Sequence, residues 1–492
     1  MNYIKIYVII TYTKLLGGYV MINQKHLEEL YAYIDDKKDD IIKELSAVAS
    51  IKSVSDATSD VKPFGQGCLD ALYHMLKKGE EEGFETKNWD NYVGHILLNN
   101  GAKENIGVWA HLDVVPEGDD WMSDPYTPVI RDGFLFGRGV GDNKSAAIGT
   151  LFIQKAIRDL KIPMKHNVQL FLGTSEETGM ADVAYYVSKY PVPKFSFVPD
   201  AGFPGGCGEF GRVQYKLVSD KPLSSQIKEL HSGTVFNIIP NHAYVVIEDN
   251  GQIDTSIIPE EGYTITKENG CIKIEAAGLS RHAAGPEGSI NAIHQLTKVL
   301  CELPGLCEED KEIFKFLTNV NNDSYGTFLD IDKTDDISGQ TVSSGTVLRM
   351  VDGIVSLTND CRHCVTDTNE RIIENITNNS AKYGFHMELI GNSKPYFIDK
   401  NGPEVTTITK IYQEYTGDYE AQMRIGKGGT YAGKIPNAVA TGICMRSDNP
   451  IPDYIKPGHG SAHQPDEFIS IDGFIKGIKL FATILLNVDD AI

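Results

Sequence analysis

Apolar and polar residues follow one another along this chain in two rhythms, which predict helices and strands. Between residues 24 and 45 apolar side chains recur every three or four positions, as on one face of a helix. A second helical pattern covers 143–160. Four short, almost uninterrupted apolar runs predict buried strands: 93–98, 106–112, 168–172 and 195–198. The strand–helix–strand order predicts an α/β domain with a central, mostly parallel sheet.

The rhythm changes after residue 200 and changes back near residue 403. Glycine is dense over 202–211, which is typical of a crossing between domains, and shorter strands with a few helices follow. A helical pattern returns at 471–486. We therefore predict an α/β domain formed by 21–211 and 404–492, interrupted by an inserted α+β domain at 212–403.

The first twenty residues do not fit this architecture. Residues 4–12 are largely apolar, but Lys5 and Lys14 interrupt the segment and no small-residue cleavage site follows. A secretory signal is the weaker alternative. We interpret 1–20 as a non-native or disordered N-terminal extension, with Met21 beginning the functional chain.

Composition and charge narrow the class of protein. Of 492 residues, 46 are Lys or Arg and 67 are Asp or Glu, which gives a net charge of -21. Such a surface repels phosphate and anionic lipid, so we expect neither a nucleic-acid partner nor a membrane partner. No apolar run approaches the roughly 20 residues that cross a bilayer. We expect a soluble globular protein.

The eight cysteines do not form a disulfide framework in so long a chain. Cys361 and Cys364 have the Cys-x-x-Cys spacing of a zinc site, but no second pair completes it. We interpret them as small buried residues on a strand. Free thiols suit a reducing compartment, and we predict a cytoplasmic protein.

Polar clusters follow several of the predicted strands. The chemistry-bearing residues are His111 and Asp113, Asp142, Glu176 and Glu177, Asp200 and His463. In an α/β sheet, ligand sites gather beyond the carboxyl ends of the strands. Two histidines and three carboxylates can hold two divalent cations that share one bridging carboxylate.

Each of these residues also has a simpler explanation. A histidine on a strand is commonly a core residue, adjacent glutamates commonly form a solvated turn, and an Asp after Pro commonly caps a turn. Together, however, they would bring like charges close to one another at neighbouring strand ends, which is costly without cations. The set therefore favours a metal site, although no single member does.

These motifs resemble a known family. The run His-Leu-Asp-Val-Val-Pro-Glu-Gly-Asp-Asp-Trp at 111–121, followed by Asp124-Pro-Tyr, Gly137-Arg-Gly and Asp142-Asn-Lys, is similar to the co-catalytic zinc metallopeptidases. That family includes aminoacylases, acetylornithine deacetylase, succinyl-diaminopimelate desuccinylase, carnosinases and PepV-type dipeptidases. The resemblance runs from about residue 25 onward, and the large insertion looks most like the PepV branch of Xaa-His and broad-specificity dipeptidases.

The resemblance implies a zinc-peptidase-like catalytic domain, a lid formed by the inserted domain, and roles for the polar residues. The implied roles are as follows: His111 and Asp200 hold one metal, Glu177 and His463 hold the other, Asp142 bridges both, Asp113 hydrogen-bonds the far nitrogen of His111, and Glu176 is the general base. The Asp142–Asn143 peptide is expected to be cis. Asn143 and Ser145 stand where the family usually has aspartate and glycine, and His459 is the rival ligand to His463. Zinc is the expected ion, with manganese or cobalt as alternatives.

The lid is expected to supply the substrate-binding residues. By resemblance, His282 stabilises the oxyanion, Asn237 contacts substrate, Arg362 binds the substrate's C-terminal carboxylate, and Gly428, Gly429 and Thr430 form a substrate loop. A helix-capping loop with an exposed histidine is the alternative for His282, and an ordinary glycine turn is the alternative for 428–430. Arg362 is followed by His-Cys where Tyr-Pro is usual.

The resemblance therefore implies a two-metal dipeptidase that acts on small peptides, as a monomer or homodimer. An N-acyl-amino-acid deacylase with the same metal chemistry is the alternative enzyme. A metal-binding pseudoenzyme or carrier would have lost the base or a ligand, and none is missing from this sequence.

Overall fold

A computed structural model describes residues 24–445 and 451–492. The predicted extension at 1–20 lies outside the described residues. The α-helices of the described ranges are α1 Gln24–Asp36, α2 Lys38–Ala49, α3 Gln66–Glu81, α4 Lys144–Asp159, α5 Ala181–Lys189, α6 Ala292–Leu300, α7 Glu308–Val320, α8 Asn369–Ala381, α9 Pro403–Thr416 and α10 Ile471–Ala491. The pattern at 24–45 thus forms two helices, which separate at Lys37.

The strands fall on either side of residue 210. The earlier ones are β1 Glu85–Trp89, β2 Val93–Leu98, β3 Asn105–His111, β4 Val129–Arg131, β5 Phe134–Phe136, β6 Asn167–Gly173, β7 Phe195–Val198 and β8 Gly206–Glu209. The later ones are β9 Gly211–Ser219, β10 Ile227–Ser232, β11 Ile238–Ile239, β12 His242–Glu248, β13 Tyr263–Glu268, β14 Cys271–Ala277, β15 Arg281–His282, β16 Thr334–Asp335, β17 Gly339–Gln340, β18 Val342–Val351, β19 Ile354–His363, β20 Phe385–Ser393, β21 Tyr396–Phe397, β22 Arg424–Gly426, β23 Ala438–Ala440 and β24 Phe468–Ser470.

The central sheet is parallel in the middle and antiparallel towards its edges. Its strand order is β1-β2-β6-β3-β7-β23-β8-β21, with β22 paired to β8. The neighbours β6, β3, β7 and β23 run parallel, whereas β1, β2 and β21 pair antiparallel. Helices connect β3 to β6 and β6 to β7, as parallel strands require, while a short turn connects β1 to β2. The predicted parallel arrangement therefore holds for the centre of a mixed sheet.

Two hydrophobic layers hold this sheet. Helix α4 packs on β3 and β6, and Leu151 and Phe152 on it are buried in the larger core. An aromatic cluster that includes Trp109, Phe171 and Tyr431 covers the opposite face. Trp109 and Phe171 stack with ring centroids 3.8 Å apart. Since β3 and β6 are buried on both faces, their sequences are mostly apolar, and Gln169 is the polar exception inside β6.

The inserted domain is an eight-stranded antiparallel sheet of order β13-β14-β12-β10-β18-β19-β9-β20. Helix α6 packs on β12 and β14, and α8 packs on β9 and β20. The chain passes between the sheets at Phe210 and returns at 394–395, because β21 already belongs to the central sheet. The return thus comes ahead of the predicted boundary at 403.

A short three-stranded sheet of order β24-β5-β4 brings the C-terminal part of the chain to the first half. Ile469 on β24 pairs with Leu135 on β5. This pairing sets the loop that carries His463 against the turn that leads to Asp142. No helix in the described ranges combines the length and the apolar composition needed to cross a membrane.

Candidate metal centre

The parallel strands deliver three groups of polar residues to one edge of the central sheet. His111 is the last residue of β3, Glu176 and Glu177 follow β6, and Asp200 follows β7. Because β6, β3 and β7 are adjacent and parallel, their carboxyl ends lie side by side. The sheet topology thus brings these side chains together.

A buried glutamate positions the fourth group. The carboxylate of Glu467 accepts hydrogen bonds from the backbone amides of Gly139, Gly141 and Asp142 at 2.9–3.1 Å, and the Arg138 guanidinium donates to it at 2.8 Å. Glu467 and Arg138 are each 1% exposed. The turn before α4 is therefore held by the same segment that carries His463. The Asp142–Asn143 peptide is cis, as the resemblance implied.

The two carboxylate oxygens of Asp142 face two different histidines. Oδ1 lies 3.0 Å from Nε2 of His111, and Oδ2 lies 3.2 Å from Nε2 of His463. His463 also lies 2.9 Å from Oε1 of Glu177, and His111 lies 3.8 Å from Oδ2 of Asp200. Each resulting triad has ligand atoms within 4.8 Å of one another, and Asp142 belongs to both.

Burial and neighbouring charges shift the pKa of several of these groups. Burial raises the pKa of Asp200 to about 6. Burial also raises the pKa of Glu176 well above its usual range, and the neighbouring carboxylates add to this shift. The pKa of His463 is raised to about 10 because its ring lies between Asp142 and Glu177. These shifts are the signature of carboxylates crowded in a site of low polarity.

The donor set fits two divalent cations. Each triad offers one imidazole nitrogen and carboxylate oxygens, with one carboxylate shared, and contains no thiolate. Histidine and carboxylate ligands suit zinc, manganese and cobalt. The carboxylates outnumber the histidines, so cations would offset both the burial and the mutual repulsion that raise the pKa values of Asp200 and Glu176.

Asp113 makes different hydrogen bonds from those expected. Its backbone carbonyl, at 2.9 Å, is the nearest partner of Nδ1 of His111, whereas its carboxylate Oδ1 lies 3.5 Å away. The carboxylate instead accepts the backbone amides of Glu176 and Glu177 at 3.0 and 3.1 Å. The carbonyl is therefore the nearer partner of the imidazole, while the carboxylate, which the two amides also bind, stays within 3.5 Å of it.

A second buried aspartate continues this arrangement. Asp182 Oδ2 accepts the backbone amides of Thr174 and Ser175 at 2.6 and 2.9 Å, and the Tyr431 hydroxyl also donates to it. Gly173 is required beside this bond, because a Cβ there would overlap both Tyr431 and Asp182. Four consecutive amides, from Thr174 to Glu177, are thus held by two buried carboxylates, which fix the loop that carries Glu176 and Glu177.

His459, the rival ligand, has other partners. Its Nδ1 lies 2.6 Å from Asp466, and its Nε2 lies 3.3 Å from Asp120. It belongs to none of the ligand clusters within the described ranges. His463, four residues later, has a positive φ of 64° and reaches both Asp142 and Glu177. The geometry therefore favours His463.

The lid arginine lies against the glycine-rich loop. Arg362 donates through Nε and Nη2 to Asp360 at 3.0–3.2 Å, and through Nη1 to the carbonyl of Lys427 at 2.6 Å. The next residues of the loop, Gly428 and Gly429, present main chain without side chains. Arg362 thus lies where the inserted sheet contacts the catalytic domain.

The same loop is anchored on its other side by Glu209. The backbone amide and hydroxyl of Thr430 donate to Oε1 of Glu209 at 2.9 and 2.8 Å. Burial raises the pKa of Glu209 to about 7, and the nearby charge of Asp200 adds to the shift. The loop is therefore held by Arg362 at Lys427 and by Glu209 at Thr430.

His282 and Asn237 lie together on a small ribbon of the lid. His282 pairs with Ile238 on β11, and the amide of Ala283 donates to the carbonyl of Asn237 at 2.8 Å. The His282 ring is exposed and accepts the amide of Ala284. Asn291, at the end of the same loop, caps helix α6, so the loop with its exposed His282 also fits the alternative of a helix-capping loop. In the described ranges no hydrogen bond or ion pair joins either residue to the metal ligands.

Sequence analysis did not identify several residues that shape the site. Asp182, Glu209 and Tyr431 are buried and bond chiefly to loops rather than to the ligands themselves. Asp182 lies in the first turn of α5, where an acidic residue is ordinary, and Glu209 lies in the glycine-rich crossing. Their role becomes visible only in the structure, through hydrogen bonds to groups distant in sequence.

Comparisons with known proteins agree with this architecture. The model of peptidase family M20/M25/M40 matches residues 107–487. The Bacillus subtilis (strain 168) protein YtjP, whose name assigns it provisionally to the dipeptidases, is 33% identical over 466 residues, which is 91% of this chain and 96% of that protein. The Beta-Ala-Xaa dipeptidase of Lactobacillus delbrueckii subsp. lactis is 28% identical over 465 residues, with 91% and 95% coverage.

The fold also matches a solved structure. The crystal structure of human carnosine dipeptidase 1 superposes with a TM-score of 0.57 at 15% identity, covering 94% of this chain and 98% of that one. A likeness at this identity concerns the fold. Because the family model covers most of the residues and a relative above 30% identity spans nearly all of them, the chain belongs to peptidase family M20/M25/M40.

Proposed function

We propose that this protein is a dipeptidase that hydrolyses the peptide bond of short peptides at a two-metal centre. The observation that carries the proposal is the arrangement around Asp142, whose two oxygens face the histidines of two separate ligand triads. The named dipeptidases among its relatives support the substrate class.

The proposed ligands are His111 and Asp200 for one cation and Glu177 and His463 for the other, with Asp142 shared. Two divalent cations bound there would acidify a water molecule and polarise the scissile carbonyl. Zinc is the proposed ion. The nitrogen and oxygen donors support it, and manganese and cobalt remain alternatives.

Glu176 is the proposed general base. It lies within 4.8 Å of His111 and Glu177, measured between ligand atoms, yet it makes no side-chain hydrogen bond within the described ranges. It is 8% exposed, and a raised pKa suits a group that accepts a proton from water and returns it to the leaving amine. The two buried aspartates hold its backbone and leave its carboxylate free.

The lid residues are proposed to bind the substrate. His282 donates to the oxyanion, Asn237 contacts the peptide, and Arg362 attracts the C-terminal carboxylate. The main chain of Gly428 and Gly429 lines the cleft. The bond from Arg362 to the carbonyl of Lys427 supports this assignment, because it brings the lid arginine to that loop.

Small peptides are the proposed partners of a monomer or homodimer. The cytoplasm is the proposed compartment, since all eight cysteines are free thiols, which a reducing environment preserves.

Turnover of a substrate panel by wild type and by Glu176→Ala tests the proposal. Wild-type protein with saturating metal should hydrolyse dipeptides far faster than N-acetyl or N-succinyl amino acids. Glu176→Ala should lose this activity while it keeps its fold and its two metal equivalents. Glu261→Ala, at an exposed position on the lid, is the control and should behave as wild type. Preference for acylated amino acids would replace the dipeptidase assignment, and substantial turnover by Glu176→Ala would end the assignment of the base.

A further inference from the structure

Two guanidinium groups lie side by side where the lid meets the glycine-rich loop. Arg212 on β9 lies directly opposite Arg362 on β19 in the strand register. Both bind the same buried carboxylate, since Nε of Arg212 donates to Asp360 at 3.2 Å and Arg362 donates to it through two nitrogens. Like charges opposite each other on neighbouring strands are unfavourable, and one carboxylate balances only one of them. The pair therefore carries an excess positive charge.

The two arginines differ in exposure and in how many of their N–H groups have hydrogen-bond partners. The side chain of Arg362 is 8% exposed, and its guanidinium is engaged by Asp360 and by the carbonyl of Lys427. Arg212 is 29% exposed, and its Nη2 is shielded from solvent without a hydrogen-bond partner in the described part of the chain. Because Nη2 has no exposed surface, only the remaining exposed part of the Arg212 side chain is open to a ligand.

The surroundings of Arg212 belong to the proposed substrate site. The Phe236 ring lies over the guanidinium at 5.1 Å, and Asn237 is the next residue. His282 is near enough for both arginines to lower its pKa, in addition to the larger effect of burial. Arg212 therefore lies on the same part of the lid as the residues assigned to substrate binding.

Resting on the proposed function, we propose that Arg212 binds the substrate's C-terminal carboxylate together with Arg362. The single negative charge of that carboxylate balances the excess charge of the pair, and its oxygens bind at the exposed part of the Arg212 side chain. The binding requires a free α-carboxylate and no acidic side chain. Peptides with an amidated C-terminus are therefore poor substrates.

The test compares a free-acid dipeptide with its C-terminal amide, using enzyme with saturating metal. Arg212→Gln should raise KM for the free acid about ten- to a hundredfold with little change in kcat, because it removes hydrogen bonds to a charged group. It should leave kcat/KM for the amide unchanged. Arg212→Lys should recover part of the loss, since it restores the charge without the fork. Arg371→Gln, which breaks another lid arginine–aspartate pair, should leave both substrates unaffected.

Calorimetry in the Glu176→Ala background makes the test independent of turnover. Adding Arg212→Gln there should weaken binding of the free-acid dipeptide by the same factor and leave binding of the amide unchanged. Equal losses for acid and amide would assign Arg212 to lid structure alone and overturn the proposal, as would no loss at all. If wild type hydrolyses no dipeptide, the proposed function fails, while the binding comparison still decides the role of Arg212.

Discussion

The hydroxyl of Tyr431 donates a hydrogen bond to the carboxylate of Asp182, and this bond joins two loops of the site. Asp182 holds the amides of Thr174 and Ser175, which lead into Glu176. Tyr431 directly follows Thr430 of the glycine-rich loop. The loop that carries the proposed base and the glycine-rich loop are thus fixed to each other through one buried oxygen.

Tyr431→Phe should therefore impair catalysis more than it impairs folding. Loss of one buried hydrogen bond should cost about 1 kcal/mol of unfolding free energy, while kcat should fall about ten- to a hundredfold as the loops loosen. The matched control is Tyr186→Phe in the same aromatic cluster, which loses a bond to the carbonyl of Pro191. Urea denaturation and steady-state kinetics are measured for both variants. If Tyr431→Phe and Tyr186→Phe have equal kcat values, the proposed link between the two loops is refuted.

His463→Ala should remove one of two metal equivalents, because His463 belongs to the triad that contains Glu177. Activity should fall by more than about a hundredfold. His459→Ala is the matched control from the same loop and should keep both equivalents, since His459 binds Asp466 and Asp120 instead. Equilibrium dialysis with elemental analysis measures the metal content. If His459→Ala loses metal and His463→Ala does not, His459 rather than His463 is the ligand.

Glu467→Gln should destabilise the fold strongly. The variant leaves the Arg138 guanidinium buried without its counter-charge, which costs about 3–5 kcal/mol. Metal affinity should also fall, because the amide of Asp142 loses a carboxylate acceptor. Glu117→Gln, whose ion pair with Lys52 is partly exposed, should cost less than about 1 kcal/mol. Denaturation and metal titration compare the two variants, and similar losses would contradict the prediction.

The pKa of Glu209 predicts a pH dependence. Because burial raises this pKa to about 7 from 4.5, the folded state binds more protons than the unfolded state between these values. The contribution of Glu209 to stability is therefore present below pH 4.5 and is lost as the pH rises to about 7, by about 3 kcal/mol. Glu209→Gln should be more stable than wild type at pH 8, and this difference should shrink towards pH 4.5.

Denaturant titrations of Glu209→Gln and wild type across this range, under identical metal conditions, measure the difference. Glu261→Gln is the control, since Glu261 is exposed. Its stability should follow that of wild type at every pH. A constant difference between Glu209→Gln and wild type would show that Glu209 does not titrate on folding.

The sequence predicted the helices and strands whose apolar residues form a clear pattern, together with the polar residues that follow them. Helix α4 and strands β3, β6 and β7 formed where the apolar pattern indicated. His111 and Asp200 meet because β3 and β7 are adjacent and parallel, although β6 lies between them in chain order. The return to the central sheet came early because β21 has two residues, too few to show a period.

The unpredicted contacts join side chains to distant main chain. Asp182 receives amides of the loop after β6, and Glu467 receives the amide of Asp142 from 325 positions away. Backbone amides are present at almost every position, so the sequence does not mark which ones a carboxylate will bind. The bond from the Asp113 carbonyl to His111 escaped prediction for the same reason.

The passage of the chain between its two sheets at Phe210 and at 394–395 has a consequence for how such enzymes diversify. All five proposed ligands and the proposed base lie outside this insertion, whereas Arg212, Asn237, His282 and Arg362 lie inside it. The segment between the crossings is thus a cassette that evolution, or an engineer, can exchange as a unit. Selectivity towards new peptides can then change while the hydrolytic chemistry is inherited intact.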